Sequence, residues 1–284
     1  TMLSDLRGGR EVQADLLTAW VDELAVNVVP LDLSLQEIGR YAAMPTGAYG
    51  RLAGGFQILG SPLDPRLSGG LQLIGGGLGD LEIESALLMI VPDEQGYQLT
   101  SMLSFPSGIE GVPSRSIQAN GQLRERNPDG TIDLGGASVE LGVEGTLPLV
   151  VLRGLIEGVD APRGDLDIAA QISGALAAPL INADLSLVDG AFDYDPLGVS
   201  YEDVDLSMNI ADGRVSLRRL ELGSRRQGSS LRLGRNLGTL VAEGHAELEG
   251  LSLTDIRAAA RLEDFWLFGL PDREVALKIG RAHV

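Results

Sequence analysis

A phrase of the form Gly–x4–Pro–x5–Leu–x–Leu–x2–Gly–x–(Leu/Phe) occurs twice, at Gly60-Pro65-Leu71-Leu73-Gly76-Leu78 and at Gly174-Pro179-Leu185-Leu187-Gly190-Phe192. The copies lie 114 residues apart (174 − 60), with no insertion or deletion between matched positions. Recurrence on this scale calls for a chain built from similar strand–turn–strand units laid along an axis. Such an object gets its function from a long surface and rarely from one catalytic cleft.

Around these phrases the apolar period is two. Ile168-Ala170-Ile172, Ile181-Ala183-Leu185-Leu187 and Val204-Leu206-Met208-Ile210 alternate with small or polar residues, and Leu81-Ile83, Leu231-Leu233 and Ala246-Leu248 behave alike. Strict alternation gives half-buried strands with one apolar and one polar face, whereas helices need spacings of three and four. The expected fold class is mainly β, antiparallel or meandering, with few short helices. Asn127-Pro128-Asp129-Gly130 predicts a hairpin turn, and Asp189-Gly190, Asp212-Gly213 and Gly234-Arg235-Asn236 mark others. Between Leu217 and Leu220 the apolar phase slips by one, which predicts a β-bulge at Arg218-Arg219. Ser34 predicts the cap of a short helix through Tyr41. The stretch Val12-Ala14-Leu16-Thr18-Trp20 reads as strand, although Leu16, Leu17, Trp20, Val21 and Leu24 also fit helical spacing. No linker divides the chain, so residues 1–284 read as one continuous array.

Chemistry-bearing constellations are not found. The only histidines, His245 and His283, have no metal-ligand spacing, there is no cysteine, and no Gly-x-Ser-x-Gly elbow accompanies either histidine. Gly75-Gly76-Gly77-x-Gly79 lacks the Lys-Ser/Thr of a phosphate loop and reads as a turn. The acidic run Asp189–Asp195 lacks the bidentate Glu of a calcium loop and reads as a solvated turn. The expectation is a protein that is not an enzyme and holds no cofactor or metal. A net charge of −18 argues against nucleic acid as a partner and for solubility in an edge-rich β protein. Aromatic residues make up only 4% of the chain, so apolar faces are built from Leu, Ile, Val and Ala. No run of 18 apolar residues and no basic-then-apolar leader is present. The chain opens mid-pattern at Thr1, and the expectation is a piece of something longer.

The phrases Gly164-Asp-Leu-Asp-Ile168, Ile172-Ser-Gly-Ala-Leu-Ala-Ala-Pro179, Leu185-Ser-Leu-Val-Asp-Gly-Ala-Phe192, Tyr201-Glu-Asp-Val-Asp-Leu206, Val215-Ser-Leu-Arg-Arg-Leu-Glu-Leu222 and Leu231-Arg-Leu-Gly234 follow in order. In this the chain resembles the TamB family, the large AsmA-like proteins of the Gram-negative cell envelope. A clearer copy of the module covers about 164–250 and a looser one about 30–145, with Pro30–Leu35 through Leu78 its best part. Where family members carry a Gly-rich phrase after the Arg-rich strand, this chain has Ser224-Arg225-Arg226-Gln227-Gly228.

The resemblance implies a long, twisted sheet curled into an open trough (a β-taco) with an apolar concave face. It also implies a place in the periplasm, anchorage in the inner membrane through a segment absent here, and an Omp85-type outer-membrane partner. The implied function is movement of phospholipid between the membranes in support of outer-membrane biogenesis. The groove residues expected are Leu71 and Leu73, Leu81 and Ile83, Ile168 and Ile172, Leu185 and Leu187, Val204 and Leu206, Met208 and Ile210, and Leu231 and Leu233. Alternation alone fits equally well a closed sandwich core, or a stacked β-solenoid that scaffolds envelope proteins during outer-membrane protein assembly. What separates these readings is whether the apolar faces are open or sealed.

Overall fold

The computed structural model describes residues 24–38, 47–61, 64–78, 81–106, 114–125, 136–151, 153, 157–226, 238–249, 252–270 and 273–283. The expected N-terminal strand, the Asn127–Gly130 and Gly234–Asn236 turns, and Leu231 and Leu233 lie outside these residues. The strands are β1 (Leu24–Ser34), β2 (Ala48–Ser61), β3 (Asp64–Leu78), β4 (Leu81–Pro92), β5 (Gly96–Phe105), β6 (Arg115–Arg124) and β7 (Ser138–Pro148). They continue as β8 (Val159–Ala175), β9 (Leu180–Tyr194), β10 (Val199–Ala211), β11 (Arg214–Arg226), β12 (Gly238–Glu249), β13 (Ser252–Leu270) and β14 (Arg273–His283). Each pairs antiparallel with the next, giving one 14-stranded sheet whose spatial order is its sequence order. Among the described residues β1 and β14 are its two edges, so the sheet is an open trough and not a barrel. A stacked solenoid is ruled out by the same topology.

Few residues are sealed inside. The accessible surface is 18585 Å², against roughly 12,000 Å² expected for a compact monomer of this mass. Helical structure among the described residues is confined to α1 (Leu35–Ile38), 3-10 turns at Leu149–Val151 and Asp195–Leu197, and isolated residues. At α1 the Glu37 N–H donates to the Ser34 hydroxyl (3.2 Å) and the Ser34 N–H donates to the Glu37 carboxylate (3.0 Å). This reciprocal cap is what Ser34 predicted, while Gly39–Tyr41 of the expected helix lie outside the described residues. No helix of the described residues is long and apolar enough to cross a membrane.

The repeated phrase occupies the same place twice, closing the β2–β3 hairpin and the β8–β9 hairpin. The coordinates extend it backward to Gly50 and Gly164, which keep the 114-residue offset (164 − 50). A Cβ at Gly50 (φ +125°) would sit 2.7 Å from Gly76 Cα and 2.9 Å from Leu73 Cδ1. A Cβ at Gly164 (φ +109°) would sit 2.9 Å from Gly190 Cα and 3.4 Å from Leu187 Cδ1. In each module a leucine therefore folds over two glycines that face each other across adjacent strands. Only glycine allows that approach.

Two turn expectations are corrected. Gly75 (φ +53°) and Asp189 (φ +54°) are equivalent bulge residues inside β3 and β9, so Gly75–Gly77 and Asp189-Gly190 are strand. The acidic run continues as strand to Tyr194 before a 3-10 turn. A left-handed residue serves a bulge as readily as a turn, which is why the local signal misled. Asp212-Gly213 is a turn, with φ of +52° and +73° in the two-residue hairpin form. The bulge between Leu217 and Leu220 is also present: Met208 pairs with Leu217 and Ser207 with Arg219, leaving Arg218 as the extra residue.

Candidate functional site

Because every pairing is between sequence neighbours, residues can be followed across the sheet in continuous rows. One row runs Leu33–Leu52–Leu73–Ala86–Leu103–Ile117–Gly145, one residue per strand from β1 to β7. It continues Ile168–Leu185–Met208–Leu217–Gly244–Ala258 from β8 to β13. No polar side chain interrupts it. The next row toward the turns at 92–96, 175–180 and 211–214 includes Leu71, Leu88, Val143, Ala170, Ala183, Ile210 and Val215, with Ser101 as its polar member. A third passes through Phe56, Ile90, Leu99, Leu141, Ile172 and Ile181. With strands about 4.8 Å apart, the first row is a lane roughly 55–60 Å long.

The opposite face is chemically distinct. Its row from β6 to β13 reads Gln118–Glu144–Ala169–Asp184–Asn209–Ser216–His245–Arg257. A depression of about 580 Å³ lies there, with Asn120, Glu144, Gln171 and Asn182 among its lining residues. Its groups are engaged locally: the Asn209 amide donates to Asp184 Oδ1 (3.0 Å), and Asn182 Oδ1 accepts the Asp212 N–H (3.4 Å). Arg218 and Arg219 of β11 and Arg257 and Arg261 of β13 pair with Asp184, Glu221, Asp255 and Glu263, forming a balanced surface and not a basic patch.

At one end of β8–β13 the trough is shut. Leu149, in the 3-10 turn after β7, is 5% exposed and packs with Leu187 and Val204, and Leu166, Phe192, Tyr201, Leu206, Leu220 and Leu222 surround them. Phe192 and Tyr201 rings are 5.0 Å apart, Tyr201 stacks on Phe265 at 6.1 Å, and the Trp266 N–H donates to the buried Ser224 hydroxyl at 2.8 Å. β13 thereby reaches β10 and β11 across the interior.

The expected groove residues divide accordingly. Leu71, Leu73, Ile168, Ile172, Leu185, Met208 and Ile210 are half-buried on the open apolar rows. Leu187 and Val204 are sealed in the shut end, with Leu206 packed against them, so they hold the trough together and do not line its open part. Ile83 pairs with Gly76 as Val204 pairs with Gly190, and Leu81 pairs with Leu78. Sequence reasoning missed Leu103 and Ile117 of the lane and Val143 of the row beside it. Their signal was the same alternation, weakened by Gly121 and Gly145, which stand in for side chains.

Burial, then the charge of Tyr194, pushes the Tyr201 phenol above its ordinary 10.0. A raised folded-state pKa contributes stability below the unfolded value and loses it as pH climbs through the folded one. The urea midpoint should therefore fall above pH 10, and Tyr201→Phe should flatten that slope; an unchanged slope in the variant would dissociate Tyr201 from it.

Among the described residues no three His, Asp or Glu side chains converge as metal ligands. Comparison of the chain with protein families, with curated proteins and with solved structures finds no match in any of the three.

Proposed function

We propose that this chain is a segment of an inner-to-outer-membrane bridge, carrying phospholipid acyl chains along its apolar lane. The observation that carries this reading is the unbroken aliphatic row from Leu33 to Ala258, left half-exposed on an open sheet. A surface of this kind is costly in water unless something apolar covers it. Each CH₂ removed from water contributes about 0.8 kcal/mol, so an acyl chain and the lane stabilise one another. The lane is several times longer than one leaflet's share of a hydrocarbon core about 30 Å thick, so chains lie along it in succession. Its aliphatic wall holds tails without selecting among them, and headgroups stay in water along the open rim. On this proposal, which the resemblance to TamB supports, the chain works in the periplasm, anchored in the inner membrane through a segment outside this sequence and acting with an Omp85-type partner. Photocrosslinkers at Ile168, Leu185 and Met208 should capture phospholipid, while the same probe at Asp184 or Asn209 should not. Equal capture on both faces, or none, would remove the proposal.

A scaffold for outer-membrane protein assembly is the second reading, and one observation favours it. Register equates Leu87 and Met89 of β4 with Ser207 and Asn209 of β10, because Leu71 and Leu73 pair with Leu88 and Ala86 as Leu185 and Leu187 pair with Met208 and Leu206. Met89 is 43% exposed on the face opposite the lane, with Val91 beside it at 47%. A protein partner seated there would protect β4 amides from hydrogen exchange without displacing lipid from the lane.

A further inference from the structure

The β8–β9 turn Leu176-Ala177-Ala178-Pro179 and the first residue of β9, Leu180, are apolar throughout, although turns ordinarily collect Gly, Asn, Asp and Ser. All five residues are exposed, Leu176 at 53% and Leu180 at 63%. At the start of β3, the equivalent place in the first module, the chain carries polar groups instead. Its equivalents of Ala178 and Leu180 are Asp64 and Arg66, which form an ion pair at 3.8 Å, and the Asp64 N–H donates to the Ser61 hydroxyl at 3.1 Å. In the second module those polar groups are gone, and backbone bonds alone fix the turn: Leu176 N–H to Ala137 carbonyl (2.8 Å) and Ala178 N–H to Ala175 carbonyl (3.0 Å). The turn also stands proud of its neighbour. Pairing with β10 stops at Ala183–Ile210 and Asn182 Oδ1 accepts the Asp212 N–H just past it, so Leu180 and Ile181 run on without a β10 pairing partner.

We propose that this hairpin tip is a membrane-contact point that enters the headgroup region of a bilayer of zwitterionic lipids. A protein interface needs about 800 Å² per partner, far more than one turn offers, whereas a bilayer accepts two protruding leucines without a complementary cavity. The backbone bonds hold the leucines in place, so little ordering entropy is lost on insertion. A chain of net charge −18 is repelled by anionic headgroups, which selects a zwitterionic surface. Acyl chains in the lane are not required for this contact.

The test uses the absence of cysteine from the sequence. The full chain carrying Ala178→Cys, labelled with the fluorophore NBD, is mixed with vesicles of phosphatidylcholine and phosphatidylethanolamine. Emission should shift to the blue and rise several-fold, while the same label at Glu94→Cys in the β4–β5 turn stays unchanged. Replacing the tip with first-module chemistry, Ala178→Asp with Leu180→Arg, should lower vesicle flotation by at least about tenfold. Its thermal midpoint should hold, because the equivalent turn already carries these residues. Phospholipid carried through purification should also be unaffected, which separates failure of the tip from failure of the lane. No emission change at Ala178→Cys, an equal change at Glu94→Cys, or undiminished flotation of the double variant would overturn the proposal. So would a response of the label to a soluble protein partner with none to vesicles, which would make the tip a protein contact.

Discussion

Replacing Leu185 and Met208 together by Asp is expected to strip the protein of co-purifying phospholipid while leaving its strands in place. The two are register partners in the middle of the unbroken row, flanked by Ile168 and Leu217. Both are half-buried and stand outside the cluster around Leu149. In the lipid-free protein the new carboxylates reach water, so the fold loses little, within about 1 kcal/mol of a surface change. Against an acyl chain they become unpaired charges in an apolar setting, at a cost of several kcal/mol, or must take up protons. Extraction and mass spectrometry should find at least tenfold less phospholipid, with circular dichroism unchanged, whereas Asp184→Asn with Asn209→Asp on the other face should lose none. Full lipid content in the lane variant would sink the lane.

Gly145→Val is expected to be the most destabilising single substitution on the lane. Gly145 has φ +143°, and an added Cβ would run into the Ser116 carbonyl and lie 2.7 Å from Ile117 Cα on the neighbouring strand. Both conflicts are with backbone, so no rotamer relieves them. Backbone strain and lost β6–β7 bonds together should cost about 3–5 kcal/mol. Since each strand pairs only with its sequence neighbours, the damage should part the sheet into β1–β6 and β7–β14 and leave the pairing inside each part. Urea unfolding should broaden into two steps, and protease should cut first between Arg124 and Ser138. Gly142→Ala, whose Cβ would meet Gln171 Oε1 at 3.4 Å and the Asn120 carbonyl oxygen at 3.7 Å, ordinary contacts, should behave as the parent. A single sharp transition for Gly145→Val would show that the two halves are coupled by something other than that seam.

The fold class was legible because alternation speaks directly to a sheet with two unlike faces. Ile168 and Ile172, Leu185, Met208 and Ile210 announce their face by parity alone. Two things were not legible. Asp189 and Gly75 carry the chemistry of a turn, yet sit mid-strand as bulges, because a left-handed residue satisfies either geometry. The sealing of Leu187 and Val204 depends on Leu149, 38 positions before Leu187 (187 − 149), and on β13 reaching back over Tyr201. Alternation says which way a side chain points but not what the chain later lays on top of it. The 114-residue identity of Gly50 with Gly164 was present in the letters. It became meaningful only when both glycines proved to face a second glycine beneath a leucine.

A ribbon in which each strand asks only for the one before it has an unusual relation to time. Little made early waits for something made late, save where Leu149 is covered by Leu187 and Val204 and where Phe265 and Trp266 come home to Tyr201 and Ser224. Loop-closure entropy is met in small instalments, hairpin by hairpin, and the growing end always offers a template to the segment arriving next. Threaded through a pore from its amino end, such a chain completes its architecture as it emerges, and β13 fastens the far end last.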